Sequence, residues 1–252
     1  MFLHLEKVSQ EYRDPSGKGK IKVLENVDLR LDSGGSLGIV GESGAGKSTL
    51  VRIVMGLERP SSGQVWFEGR QTAFLTKREK QLLKKKIQLI WQDPVSYLNP
   101  FLTVGQLIVE PLIVFGLGVR KERHLRVQEL ADLTGLEKNC LPKRPHQLSG
   151  GQAQRVAIAR ALSVNPRLLL CDEILSGLDS PHQVQILDLL KRLQAQMGLT
   201  VLLVSHDLAA VGYLCRRLAV LKDGKILEEA ETHDFLQRPK HPYSVQLLQC
   251  AL

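Results

Sequence analysis

Residues 41–49, GESGAGKST, restrict what this chain can fold into more than any other segment. They fit the pattern G-x-x-x-x-G-K-[ST]. A short apolar run, SLGIV (36–40), precedes them, and a helix-period pattern follows from Lys47, with Leu50, Val51, Ile53, Val54 and Leu57 on one face. A strand, a glycine-rich turn and a helix in that order make an anion cradle. Gly41, Gly44 and Gly46 let the backbone N–H groups around Glu42, Ser43 and Ala45 turn inward without a Cβ clash. The helix aims the positive end of its dipole at the same point. Lys47 adds a point charge that reaches outer phosphates, and the helix opens on two hydroxyls, Ser48 and Thr49, of which Ser48 suits Mg²⁺. The segment predicts binding of a nucleoside triphosphate.

The surrounding pattern supplies a scaffold for such a loop. LHLEKVSQEY (3–12) and KVLENVDLRL (22–31) read as strands with the turn residues PSGKGK (15–20) between them. IQLIWQ (87–92), RLLLC (167–171) and TVLLVS (200–205) read as buried strands, and Gln152–Leu162, Pro181–Gln196 and 207–215 as helices. A hairpin, LAVLKDGKILEE, turns at Asp223-Gly224. Alternating strands and helices imply an α/β fold with a mainly parallel sheet covered on both faces. Between about 93 and 154 the character changes. Pro94, Pro100 and Pro111 punctuate the first half and VRKERHLRVQELADLTGL has helical spacing, so a helical insertion is expected there.

RLLLCDE places Asp172 and Glu173 directly after a buried run. A strand in that position carries its carboxylates to the edge of the sheet beside the phosphate loop. Asp172 is then the expected Mg²⁺ holder, and Glu173 the expected acceptor of a proton from the attacking water.

Composition removes other classes. With 43% hydrophobic and 24% charged residues the chain is neither disordered nor fibrous. MFLHLEKVSQEYRD has no apolar core, so it does not read as a signal peptide. The least polar stretch, residues 101–119, is broken at its centre by Glu110 and Pro111, and reads as buried or partner-facing surface rather than a membrane span. Cys140, Cys171, Cys215 and Cys250 form no CxxC pair, which argues for reduced thiols and against a zinc knuckle. The net charge of +8 admits nucleic acid, anionic headgroups or phosphorylated ligands alike. The densest basic run, KREKQLLKKK (77–86), reads as a solvated helix face.

LSGGQ at 148–152 adds the decisive motif. With the phosphate loop before it and LLLCDE after it, the chain resembles the ATP-binding subunits of ABC transporters over nearly its whole length. The resemblance implies a P-loop (RecA-like) core with an N-terminal antiparallel β region and a helical signature subdomain. It places one nucleotide-binding domain at 1–227, with the helical part at about 93–154, and a short tail at 228–252. It implies an ATPase with ATP and Mg²⁺. Tyr12 corresponds to the aromatic residue stacked on adenine, and Gln92 to the glutamine that couples Mg²⁺ and the γ-phosphate to the membrane partner. Ser149, Gly150, Gly151 and Gln152 correspond to the signature, which caps the nucleotide bound to the other subunit of a head-to-tail dimer. Asp179 corresponds to the D-loop aspartate and His206 to the switch histidine. The family's Pro-Thr after the catalytic Glu is replaced here by Ile174-Leu175, and the usual Ala before Leu-Asp by Gly177.

DPVSYLNP (93–100) and RPKHPYSVQLL (238–248) resemble segments of the dipeptide, oligopeptide and nickel importer subfamily. The resemblance implies a paralogous ATP-binding partner, two membrane permeases and, indirectly, an extracytoplasmic solute-binding protein. It puts the chain peripherally on the cytoplasmic face of the inner membrane, without nucleic acid. The short tail after Tyr243 leans toward nickel-type members, and Pro242 suits the first residue of a helix. A soluble ABC ATPase acting on nucleic acid or ribosomes is the competing reading, disfavoured by the single cassette and the short interval between phosphate loop and signature. A nucleotide-gated scaffold with little hydrolysis is a third, prompted by Ile174-Leu175.

Overall fold

Apolar residues two positions apart set the architecture. The computed structural model describes residues 2–14, 17 and 19–251. Along it run β1 (Leu3–Arg13), β2 (Lys20–Leu31), β3 (Ser36–Val40), α1 (Lys47–Val54), β4 (Ser62–Phe67) and β5 (Arg70–Gln71). Then come α2 (Lys77–Lys86), β6 (Ile87–Ile90), α3 (Pro94–Tyr97), α4 (Val104–Val114), α5 (Arg120–Thr134) and α6 (Gly150–Leu162). The remainder is β7 (Leu168–Asp172), α7 (Ser180–Met197), β8 (Thr200–Ser205), α8 (Leu208–Leu214), β9 (Arg217–Lys222), β10 (Lys225–Glu231), α9 (Thr232–Gln237) and α10 (Pro242–Ala251).

The strands form a six-stranded sheet of order β10-β9-β3-β8-β7-β6 and a four-stranded sheet of order β2-β1-β4-β5. In the larger sheet every pairing is parallel except β9 with β10. Strands β3, β7 and β8 are buried on both faces, and β9 nearly so, as near-continuous apolar runs require. On β7, Leu168 and Leu170 face one core, shared with α1 and the antiparallel sheet, while Leu169 and Cys171 face the other, shared with α6, α7 and α8. Strand β3 lies between β8 and β9, so the loop leaving its carboxyl end opens in the middle of the sheet edge.

Local chemistry fixes the helix starts. Thr76 and Glu79 close a reciprocal cap on α2, whose last turn carries Lys84, Lys85 and Lys86 at the favourable end of the dipole. Asp93 caps α3 through the N–H groups of Val95 and Ser96, with Pro94 as its first residue. Helix α4 runs only eleven residues, and Glu110 pairs with Arg160 of α6 at 2.9 Å. Among the described residues no helix is long and apolar enough to cross a membrane.

Several boundaries differ from the sequence expectation. The strand expected over 87–92 stops at Ile90, because Trp91 leaves the ladder to stack on Tyr97 at 4.9 Å. The alternation expected in β1 breaks at Lys7, which adopts φ 47° at a bulge and donates its N–H to Asp28 Oδ1. The antiparallel sheet gains β4 and β5, whose inward alternation is only Val65 and Phe67. Helix α6 begins at Gly150 rather than Gln152 and runs past position 154. The hairpin turns where expected, with Asp223 and Gly224 both at positive φ. Of the turn expected at 15–20, Pro15, Ser16 and Lys18 lie outside the described residues; Gly17 N–H donates to the Asp14 carbonyl.

Candidate functional site

A cavity of about 490 Å³ opens at the carboxyl edge of the larger sheet. The phosphate loop contributes Ser43, Gly44 and Gly46, and α1 contributes Lys47, Ser48 and Thr49. Gln92, Glu173 and His206 enter from segments that follow β6, β7 and β8. Val23, on β2, completes the wall without having been singled out in the sequence.

The glycines are there for space as much as for turning. A Cβ on Gly41 would stand 2.2 Å from the Leu221 carbonyl, and one on Gly46, at φ 104°, would stand 2.8 Å from the Val23 carbonyl. The loop is thus wedged between β9 and β2 at its two ends. Ala45 is buried, and its carbonyl accepts the N–H of Gly224, so the β9–β10 turn also holds the loop.

Lys47 is 8% exposed. Its ammonium donates to the carbonyls of Gly41 at 2.7 Å and Glu42 at 3.0 Å, and stands 3.5 Å from Glu173 Oε1. The other oxygen of Glu173 meets His206 Nδ1 at 2.7 Å. Glu173 therefore bridges a buried cation and an exposed imidazole. It does so from a left-handed backbone, φ 51°, which costs a non-glycine residue about 1–2 kcal/mol. Its N–H still pairs with the Val204 carbonyl, so the strand ladder runs to the last residue before the side chain swings out.

Asp172 is 5% exposed and its Oδ1 has no hydrogen-bond partner. Burial, and then the neighbouring Glu173, push its carboxyl above the ordinary range; Lys47 and a hydrogen bond with Ser48 work the other way. A buried carboxylate with an orphan oxygen beside a second carboxylate is a place for a cation. The donors at hand are all oxygens, from the Ser48 hydroxyl, the Asp172 carboxylate and the Gln92 amide, which is the set a hard ion such as Mg²⁺ takes.

Other sequence candidates lie apart from the cavity wall. Tyr12 is half-buried near the end of β1, its hydroxyl donating to Glu58 at 2.5 Å and lying 3.5 Å from Thr49 Oγ1. Ser149 caps α6: its Oγ accepts from Gln152 N at 3.3 Å, while its own N–H donates to Gln152 Oε1 at 3.1 Å. Ser149 and Gly150 are exposed. Gly151 is buried against His182, whose ring a Cβ would meet at 2.9 Å, and His182 pairs with Asp179. The signature and D-loop residues thus touch each other and not the phosphate cavity. Ile174 and Leu175 point into the core at 1% and 5% exposure, and Gly177 takes φ 76°.

Glu42 and Tyr243 were read separately in the sequence, yet Tyr243 donates its hydroxyl to Glu42 Oε1 at 2.8 Å. Nothing in local spacing announces a contact across 201 positions.

A glycine cradle, a buried lysine and two strand-end carboxylates on a mainly parallel sheet define a phosphate-loop nucleotide-binding cassette. The family described as ABC transporter matches residues 24–176. A protein of Brucella ovis named as a peptide import ATP-binding protein is 41% identical over 228 residues, covering 90% of this chain and 72% of that protein. A Bacillus subtilis protein named for oligopeptide transport ATP binding is 41% identical, covering 93% of this chain and 72% of that one. Among solved structures, an ATP-binding cassette in a dimeric post-hydrolysis state with ADP and phosphate superposes with TM-score 0.83 at 35% identity, over 92% of this chain and 99% of that one. A component of the cbiONQ transporter complex of Clostridium perfringens superposes equally well, TM-score 0.83, at 28% identity over 94% of this chain and 91% of that one. The chain belongs to the ABC transporter family, as an ATP-hydrolysing cassette.

Proposed function

We propose that this ATPase energises import of a di- or oligopeptide through a membrane permease. One observation carries the catalytic part: Lys47, Glu173 and His206 meet at the mouth of the phosphate cavity, beside the orphan oxygen of Asp172. The relatives named for peptide import favour peptide over nickel.

In this reading the N–H groups of residues 42–47 and the Lys47 ammonium hold the β and γ phosphates. An arriving phosphate competes with Glu173 for Lys47, which frees the carboxylate to take a proton from water. His206, already on Glu173 Oε2, orients that carboxylate and faces the γ-phosphate. Ser48, Asp172 and Gln92 would hold Mg²⁺, which supplies charge neutralisation at the phosphate oxygens when bound. Tyr12 lies beside α1 and would flank the adenine.

Ser149, Gly150, Gly151 and Gln152 close over the triphosphate of a paralogous cassette, presenting free N–H groups at the start of α6, with Asp179 beside them. The helical part at about 93–154 carries the motion to one of two permeases, fed by a solute-binding protein outside. Exposed Tyr97, Phe101, Ile113 and Val114 offer it an apolar face. The cassette then works on the cytoplasmic face of the membrane, with 1–227 as its nucleotide-binding domain and 228–252 as a tail.

Uptake of a labelled dipeptide and of radioactive nickel by cells carrying the wild-type chain or Lys47→Ala tests this. Loss of peptide uptake alone is the expected result; loss of nickel uptake alone contradicts the substrate assignment.

A further inference from the structure

The His-Pro-Tyr segment has no part in the chemistry above, yet it reaches the phosphate loop. The Glu228 carboxylate of β10, 9% exposed, accepts the N–H groups of Lys240 and His241, both at 2.9 Å. His241 Nδ1 accepts the N–H of Tyr243 at 3.1 Å. Pro242 opens α10, where no N–H is needed. The segment is therefore pinned before the tyrosine leaves it.

Tyr243 is 7% exposed. The Lys222 ammonium sits 3.9 Å from its ring centroid, and its hydroxyl ends on Glu42 Oε1 at 2.8 Å. The main-chain oxygen of the same Glu42 accepts from Lys47 Nζ at 3.0 Å. One loop residue thus joins the tail to the phosphate-binding lysine.

The loop needs support there. Its ends are wedged at Gly41 and Gly46, but a Cβ on Gly44 would meet nothing within 4 Å, and Glu42, Ser43 and Gly44 are exposed. We propose that the His-Pro-Tyr segment is a strut on the phosphate loop, with Tyr243 a positioning residue that acts through Glu42 on Lys47 and so on triphosphate affinity. Burial and the Glu42 carboxylate push the phenol up to about 12, so the donor persists at any physiological pH.

The strut rests on the phosphate-loop reading, and a titration of the full chain with a fluorescent ATP analogue separates the two. Loss of binding in Lys47→Ala supports the phosphate-loop site; unchanged binding there overturns that site and the strut with it. With the site intact, Tyr243→Phe is expected to bind ~3–10-fold more weakly, less than the full effect of a lost hydrogen bond to a charged group because Tyr243 reaches the phosphate only through Glu42. Glu42→Ala shows the same weakening, and Tyr243→Phe adds nothing to it. In the assembled ATPase, Tyr243→Phe raises KM by that factor and leaves kcat at saturating ATP unchanged. Wild-type affinity in Tyr243→Phe overturns the strut, as does a further equal loss in the Glu42→Ala background.

Discussion

Lys47 and Ser149 both stand at the start of a helix, and their surroundings differ. Lys47 is buried among the Gly41 and Glu42 carbonyls and the Glu173 carboxylate, at the edge of a cavity. Ser149 is exposed, and its cap closes on its own helix. The first region is a cradle whose parts come from four strand ends of one chain. The second is an exposed helix start that contributes nothing to the phosphate cavity of its own chain. On the proposed reading each is one half of a site shared between cassettes, and the difference predicts that damage to them will separate binding from turnover.

Glu173→Gln gives the largest effect: a loss of general-base catalysis, about 10²–10⁴-fold in phosphate release, with nucleotide binding kept. Turnover near wild type would remove Glu173 from the cradle's chemistry. Next, Lys47→Ala weakens nucleotide binding by about 10–150-fold, the range for a hydrogen bond to a charged group. Ser149→Ala sharpens the contrast, because it leaves affinity in the isolated chain within about twofold while lowering turnover of the assembled pair by about tenfold, a cap and a donor site being disturbed together. Weaker binding in the isolated chain would place the signature in the same chain's site.

The smallest effect tests the orphan oxygen of Asp172. Its raised pKa means that the folded chain keeps this proton longer than the unfolded one. Ionised Asp172 therefore costs stability as pH rises from the ordinary carboxylate range through the raised value. Asp172→Asn should melt about 2–4 °C higher than wild type near pH 8 without nucleotide, the gap closing as the pH falls toward about 4. A lower melting temperature at pH 8 would contradict the cost assigned to the ionised form of that carboxylate.

Legibility in the sequence followed the range of the forces involved. Gly41–Thr49 and Asp172-Glu173 could be read directly, because a turn, a helix start and a strand end are local. The parallel sheet followed from the buried runs at 36–40, 167–171 and 200–205. Gln92, His206 and Ser149 carry no local signal and are assigned roles only through the family's order of motifs; the fold brings Gln92 and His206 to the cavity and leaves Ser149 away from it. Strands β4 and β5 were missed because two inward residues make too short an alternation. The Tyr243–Glu42 bond and the wedging of Gly46 against Val23 were invisible, since each joins segments that only the folded sheets bring together.

The account depends on an ATP molecule lying between the phosphate loop of one cassette and the signature of its neighbour. Cysteine cross-linking in the assembled transporter tests this directly. Cys250, the exposed cysteine among the described residues, is changed to Ser. Ser149→Cys is then paired with a cysteine in the neighbouring cassette's phosphate loop, with that neighbour's own catalytic glutamate changed to Gln so that its ATP stays in place. The account predicts a cross-link between cassettes that forms with ATP and is lost without it. Failure to cross-link in the ATP-loaded assembly, with both cysteines reactive, would contradict it.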